Sequence, residues 1–127
     1  MTVGLVDTTV IIHLFRKQPA AHAWLKAQTE PLSLTSITWL EVMHGAPGKA
    51  GQQTCEVIMS QFELISLTDI DQAWAMRQMK LYRLSHGVGI MDCLIASVAF
   101  RLQVPLYTHN LKHMRLLLND TLVVQPY

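Results

Sequence analysis

A short apolar run that stops on an acid and passes straight into helical spacing is the feature that most constrains this chain. Residues 3–6 (Val-Gly-Leu-Val) have the length of a strand buried on both faces. Asp7 ends the run, Thr8 and Thr9 follow, and Val10, Ile11, Leu14 and Phe15 recur at helical spacing. Strand, acid, helix is the repeating unit of an open α/β sheet. In such sheets, residues at the carboxyl ends of the strands line the crevice where ligands bind. Asp7 reads equally well as a helix N-cap, a position that Asp favours.

The alternation continues along the chain. The first helix runs to about residue 16. Pro19 opens a second that extends to about residue 28, and Pro31 ends it. Residues 32–36 alternate in polarity and predict strand two. A third helix starts near Thr38 and stops at Gly45, Pro47 and Gly48. Residues 52–61 read as helix, 62–67 as strand three, and 69–85 as a longer helix broken by His86-Gly87-Val88-Gly89. Residues 90–102 form the most apolar helix, 105–108 strand four, 109–118 a short helix and 122–124 strand five. This order predicts an α/β fold: one three-layer domain over residues 1–127, with a central parallel sheet of four to five strands flanked by helices.

Composition narrows the function classes. Half of the residues are hydrophobic and only 15% are charged, which excludes a disordered chain. No apolar run approaches the ~18 residues of a membrane span, and no basic segment leading into an apolar core predicts a secretory leader. Two cysteines, Cys55 and Cys93, make no disulfide framework and fit a reduced cytoplasmic setting. A formal charge of +1 leaves no electrostatic footprint for nucleic acid, so recognition of such a substrate must come from a site. Seven Met and three Trp (Trp24, Trp39 and Trp74) suggest apolar surface for a partner helix or a dimer face, or else core filling.

Most of the nine acids have local explanations. Thr68-Asp69-Ile70-Asp71 has the spacing of a helix cap. Glu30, Glu56, Glu63 and Asp120 stand in polar or turn settings. Asp7, Glu41 and Asp92 remain. Glu41 also has a cap reading, since Thr38-Trp39-Leu40-Glu41 matches a capping box. That spacing favours the cap, but one turn into the helix after strand two the residue is also placed to point into the crevice above Asp7. Asp92 sits near the start of a helix that is apolar nearly all round, and a carboxylate there needs the helix N-terminus, hydrogen bonds or a cation. Asn110 follows strand four as Asp7 follows strand one, either as a turn residue or as a neutral oxygen donor. These signals place three carboxylates and an amide beside strand ends, and clustered carboxylates repel one another unless a cation intervenes. Oxygen donors of this kind suit Mg²⁺ or Mn²⁺ and the hydrolysis of phosphodiesters.

Other motifs fall short. Gly87-Val88-Gly89 follows a helix and lacks the third glycine of a dinucleotide fingerprint, and there is no P-loop. His109 and His113 have a spacing that zinc ligands use, but no further ligand completes a set. They are expected on a polar rim.

The residues that remain resemble the PIN-domain family, in particular the VapC-type toxins of bacterial toxin–antitoxin pairs. The resemblance rests on Val6-Asp7-Thr8-Thr9, on Glu41, on Asp92-Cys93-Leu94-Ile95-Ala96-Ser97-Val98-Ala99, and on the segment from Pro105 through Thr108-His109-Asn110 to Met114. It implies a Mg²⁺- or Mn²⁺-dependent endoribonuclease in which Asp7, Glu41 and Asp92 match the metal site and Asn110 its fourth position. It further implies an RNA substrate, a cognate antitoxin protein that covers an apolar groove, and a homodimer. Many relatives carry an acid where this segment has Asn110 and then His113, which favours a single ion. RNA contact is expected from Thr8, Thr108, Arg16, Lys17, Lys112 and Arg115. The alternative reading is a non-catalytic PIN-like binding module.

Overall fold

A computed structural model describes all residues, 1–127. Five short strands form the sheet: β1 (Leu5–Val6), β2 (Ser33–Thr35), β3 (Glu63–Ile65), β4 (Leu106–Tyr107) and β5 (Val123–Val124). Seven α-helices connect them: α1 (Thr8–Phe15), α2 (Pro19–Lys26), α3 (Ser36–Gly45), α4 (Gly48–Met59), α5 (Asp69–His86), α6 (Ile90–Leu102) and α7 (Leu111–Leu117). The strand order is β3-β2-β1-β4-β5 and every neighbouring pair is parallel. This is the parallel sheet that the alternation of elements predicts.

The central strand explains the layers. Successive side chains on a strand point to opposite faces, and both Leu5 and Val6 are fully buried. Leu5 joins a core built from α5, α6 and α7, including Trp74, Ile95, Val98 and Met114. Val6 joins a separate core with Val10, Ile11 and Leu14 of α1, Val42 of α3 and Cys55 of α4. Helices therefore cover both faces. Gly4 permits the close approach of β4, since a Cβ there would lie 2.6 Å from the Tyr107 ring.

Local chemistry sets the helix ends. Thr68 and Asp71 form a reciprocal cap on α5: Asp71 N donates to Thr68 Oγ1 at 3.2 Å, and Thr68 N donates to Asp71 Oδ2 at 2.9 Å. Gly87 ends the same helix in the left-handed region at φ 72°. Asp71 also pairs with Arg101 Nε at 2.8 Å, tying the start of α5 to the end of α6.

Some boundaries differ from the sequence-based expectation. The Gly45-Ala46-Pro47-Gly48 break is only a corner, and α4 begins at Gly48. Helix α3 starts two residues earlier than expected, because Thr35 is its cap and accepts from Thr38 N at 3.1 Å. Thr38-Trp39-Leu40-Glu41 is therefore not a capping box, and the Glu41 carboxylate is free for another partner. The tryptophans are not the apolar surface either. Trp74 is buried and stacks on Phe100, and Trp24 packs on Tyr107. Exposed apolar side chains are instead Leu40, Leu81, Leu84, Ile90 and Met91, among others.

Candidate active site

The strand order places a switch point between β1, whose chain continues outward to β2, and β4 on its other side. In open α/β sheets this is where ligands bind. Asp7 follows β1 directly, and Thr108 to Asn110 follow β4. Tyr107 O accepts from Asp7 N at 2.9 Å, so the two strand ends are held together by backbone.

Asp7 is 4% exposed. Its Oδ1 accepts from Thr8 N at 2.8 Å, which makes it the N-cap of α1. Its Oδ2 accepts from the Thr108 hydroxyl at 2.6 Å. Burial pushes its pKa up to about 6 against the pull of these two donors, and the charges of Asp92 and Glu41 push the same way. Asp7 thus caps α1 and at the same time stands at the carboxyl end of β1. The capping geometry orients a carboxylate that remains without a cationic partner, since the Lys and Arg side chains pair with no acid except Asp71.

Glu41 projects from α3 toward the start of α1. The Thr8 hydroxyl donates to Glu41 Oε1 at 2.5 Å and is hydrogen-bonded to the Thr38 hydroxyl at 3.2 Å. Asp92 lies in the first turn of α6. Its Oδ1 accepts from Asn110 Nδ2 at 3.1 Å, and its Oδ2 accepts from His113 Nδ1 at 3.2 Å.

Two cavities meet at Glu41. One of about 570 Å³ is lined by Glu41 and Asp92 together with Met79, Arg83, Gly89, Ile90 and Met91. The other, of about 320 Å³, lies between α1, α3 and α4 and is lined by Ile12, Phe15, Arg16, Glu41, Val42, Gly45, Ala46, Pro47 and Cys55.

The structure brings Asp7, Glu41, Asp92 and Asn110 together beside the carboxyl ends of the inner strands β1 and β4. Thr8 and Thr108 are placed behind the carboxylates. Both are buried, and their hydroxyls are turned to the carboxylates. Arg16 lies at the cavity beside Glu41, whereas Lys17, Lys112 and Arg115 are exposed. Sequence reasoning missed Arg83, and it missed His113, which faces Asp92 rather than a rim. The signal for His113 was its spacing from Asn110, one helical turn on. His109 is half-buried against His13 and Tyr127.

The donor set is all oxygen, buried at Asp7 and short of positive charge, which suits a hard divalent cation. No three His, Cys, Asp or Glu side chains come close enough together to hold one ion. Glu41 is turned to Thr8, and Asp92 to Asn110 and His113.

Comparison with known proteins agrees with this layout. A family model described as PIN domain matches residues 4–116. A chain of a toxin–antitoxin complex from Klebsiella pneumoniae is 27% identical, with a TM-score of 0.80 over 98% of this chain and 98% of that one. A chain of VapBC2 from Rickettsia felis, bound to a DNA fragment from their promoter, is 20% identical, with a TM-score of 0.79 over 95% and 96%. A chain of FitAcB from Neisseria gonorrhoeae is 25% identical, with a TM-score of 0.74 over 97% of each chain. No match was found among curated proteins.

Proposed function

The chain belongs to the PIN-domain family, and on that premise we propose that it is the toxin of a toxin–antitoxin pair, a Mg²⁺- or Mn²⁺-dependent endoribonuclease. The observation that carries the reading is the carboxylate group at the switch point, where Asp7 is buried near Asp92 and Glu41 and forms no ion pair of its own. Similarity to a chain of a toxin–antitoxin complex supports the biological role.

In this reading Asp7 and Asp92 would hold the ion, with Glu41 binding it directly or through water. Once bound, the ion would lower the pKa of water and offset the charge that develops on the scissile phosphate. Glu41 orients the attacking water, and Asn110 steadies Asp92. Thr8 and Thr108 hold Glu41 and Asp7 in place. Arg16, Lys112 and Arg115 contact RNA phosphates, a role that suits cations near a cleft. Water attacks phosphorus, the bond to the 3′ oxygen breaks, and that oxygen takes up a proton. The products are a 3′-hydroxyl and a 5′-phosphate.

The surface supports the proposed partners. The cavity between α1, α3 and α4 is mostly apolar, with Arg16 and Glu41 at its edge, and suits a segment of the antitoxin. Leu81, Leu84, Ile90 and Met91 are exposed on α5 and α6 and suit a second copy of the chain. No helix is long and apolar enough to cross a membrane. Two free, buried cysteines accord with a cytoplasmic setting.

One observation favours a second reading, a non-catalytic PIN-like binding module: the three carboxylates do not close on a common point. Mapping of 5′ ends in total RNA after incubation with Mg²⁺ decides between them. Discrete new ends with wild type and none with Asp7→Asn are expected. Identical end maps, with both proteins folded and wild type binding no Mn²⁺, would favour the module.

A further inference from the structure

His113 touches Asp92 in the candidate site, and the proposed mechanism leaves it unused. It sits in the first turn of α7, three positions after Asn110, so the two share a helix face. Both reach Asp92. Asn110 Nδ2 takes Oδ1, and His113 Nδ1 takes Oδ2, where Gly89 N also donates at 3.4 Å. A carboxylate only accepts hydrogen bonds, so His113 Nδ1 carries a hydrogen in this contact.

The contact is not needed to dock the helix. Helix α7 is anchored by Met114 and Leu117, both buried in the core shared with α6. Nor is it a loose surface contact, because the side chains of His113 and Asp92 are only 25% and 23% exposed. Asp92 carries about four lone-pair sites on its two oxygens. Oδ2 meets two donors and Oδ1 meets one. Oδ1 is therefore the oxygen with capacity left for a cation.

We propose that His113 is a positioning residue that occupies Oδ2 of Asp92, so that this carboxylate presents Oδ1 alone to a divalent ion. The inference rests on the metal-site reading above and refines it. Hydrogen-bond partners of ligating carboxylates fix their orientation, and losing one typically lowers metal affinity about 10–100-fold. Asn at the same position carries an amide nitrogen at the δ position, where the imidazole carries Nδ1. It restores the donor without restoring the ring.

The test is Mn²⁺ binding to the full chain, followed by the electron paramagnetic resonance signal of the free ion. Wild type, His113→Ala, His113→Asn and the control Lys80→Ala, an exposed cation on α5, are compared, and the thermal midpoint of each is measured without metal. His113→Ala is expected to weaken Mn²⁺ by about tenfold or more. His113→Asn and Lys80→Ala should stay within about threefold of wild type, and all four should keep similar ion-free midpoints. Equal affinity for His113→Ala and wild type overturns this inference and leaves the metal site standing. So does a loss in His113→Ala that His113→Asn does not restore. No Mn²⁺ binding by wild type overturns the metal-site reading and this inference with it.

Discussion

The Thr108 hydroxyl donates to Asp7 Oδ2 at 2.6 Å across 101 positions of sequence. It joins the loop after β4 to the acid after β1. The same oxygen of Thr108 accepts from Asn110 N at 2.9 Å, so one side chain orders both sides of the switch point. Four consequences can be measured.

Asp7→Asn is expected to abolish cleavage and to stabilise the ion-free protein at neutral pH. Asp7 has a folded pKa of about 6 against an ordinary 3.8. A carboxyl group with a raised folded pKa binds its proton more tightly when folded, so its contribution to stability falls as pH rises from about 4 to about 6. Above that window the ionised form costs up to roughly 3 kcal/mol. Urea denaturation at pH 7 should show Asp7→Asn more stable than wild type, with the difference vanishing toward pH 4. A less stable Asp7→Asn at pH 7 would show that capping outweighs the buried charge.

Mn²⁺ affinity should depend on pH through the same group. Binding requires the ionised carboxylate, so protons compete below a pH of about 6. Affinity should be flat above that value and fall about tenfold per pH unit below it, as expected for one proton displaced per ion. Calorimetric titration in buffers of different ionisation enthalpy counts the proton directly.

Thr108→Val keeps the shape and removes the hydroxyl. Asp7 then loses a donor that holds its pKa down, so the midpoint of the Mn²⁺ affinity profile should move to higher pH. Asn110 N loses its acceptor as well, and a buried group left without a partner costs about 1–3 kcal/mol. A profile that does not move would dissociate Thr108 from the titration of Asp7.

Arg101→Met should be among the more destabilising changes far from the site. Asp71 is fully buried, and its Oδ1 meets Arg101 Nε at 2.8 Å. Removing one partner of a buried pair costs about 3–5 kcal/mol, less here because the Arg101 side chain is 31% exposed. Asp71→Asn together with Arg101→Met should recover part of the loss in a double-mutant cycle. Purely additive losses would show that the two side chains act independently.

The fold was legible where local chemistry decides it. Apolar strands that end on turn or cap residues, Pro19 at a helix start, the Thr68–Asp71 cap and Gly87 at a helix end are short-range signals, and each holds. Asp7, Glu41, Asp92 and Asn110 were legible as candidates because each follows a strand or opens a helix. Strands and helices are read from neighbours a few residues apart, because periodicity and capping are set over that range.

What the sequence could not show is which long-range partner each polar group finds. Two threonines, Thr35 and Thr38, were available to cap α3. The choice fell to Thr35, because β2 pairs with β3 as far as Thr35 opposite Ile65. That shift released Glu41 to meet Thr8, 33 positions away. His113 reaches Asp92 only because α7 packs on α6, and the tryptophans turned inward because the cores needed their volume. By itself the sequence determined the order of elements and the acids at strand ends, since periodicity and capping are local. Tertiary structure decided which hydroxyl, amide or imidazole holds each carboxylate, because those contacts form only when distant strand ends are brought to the same switch point.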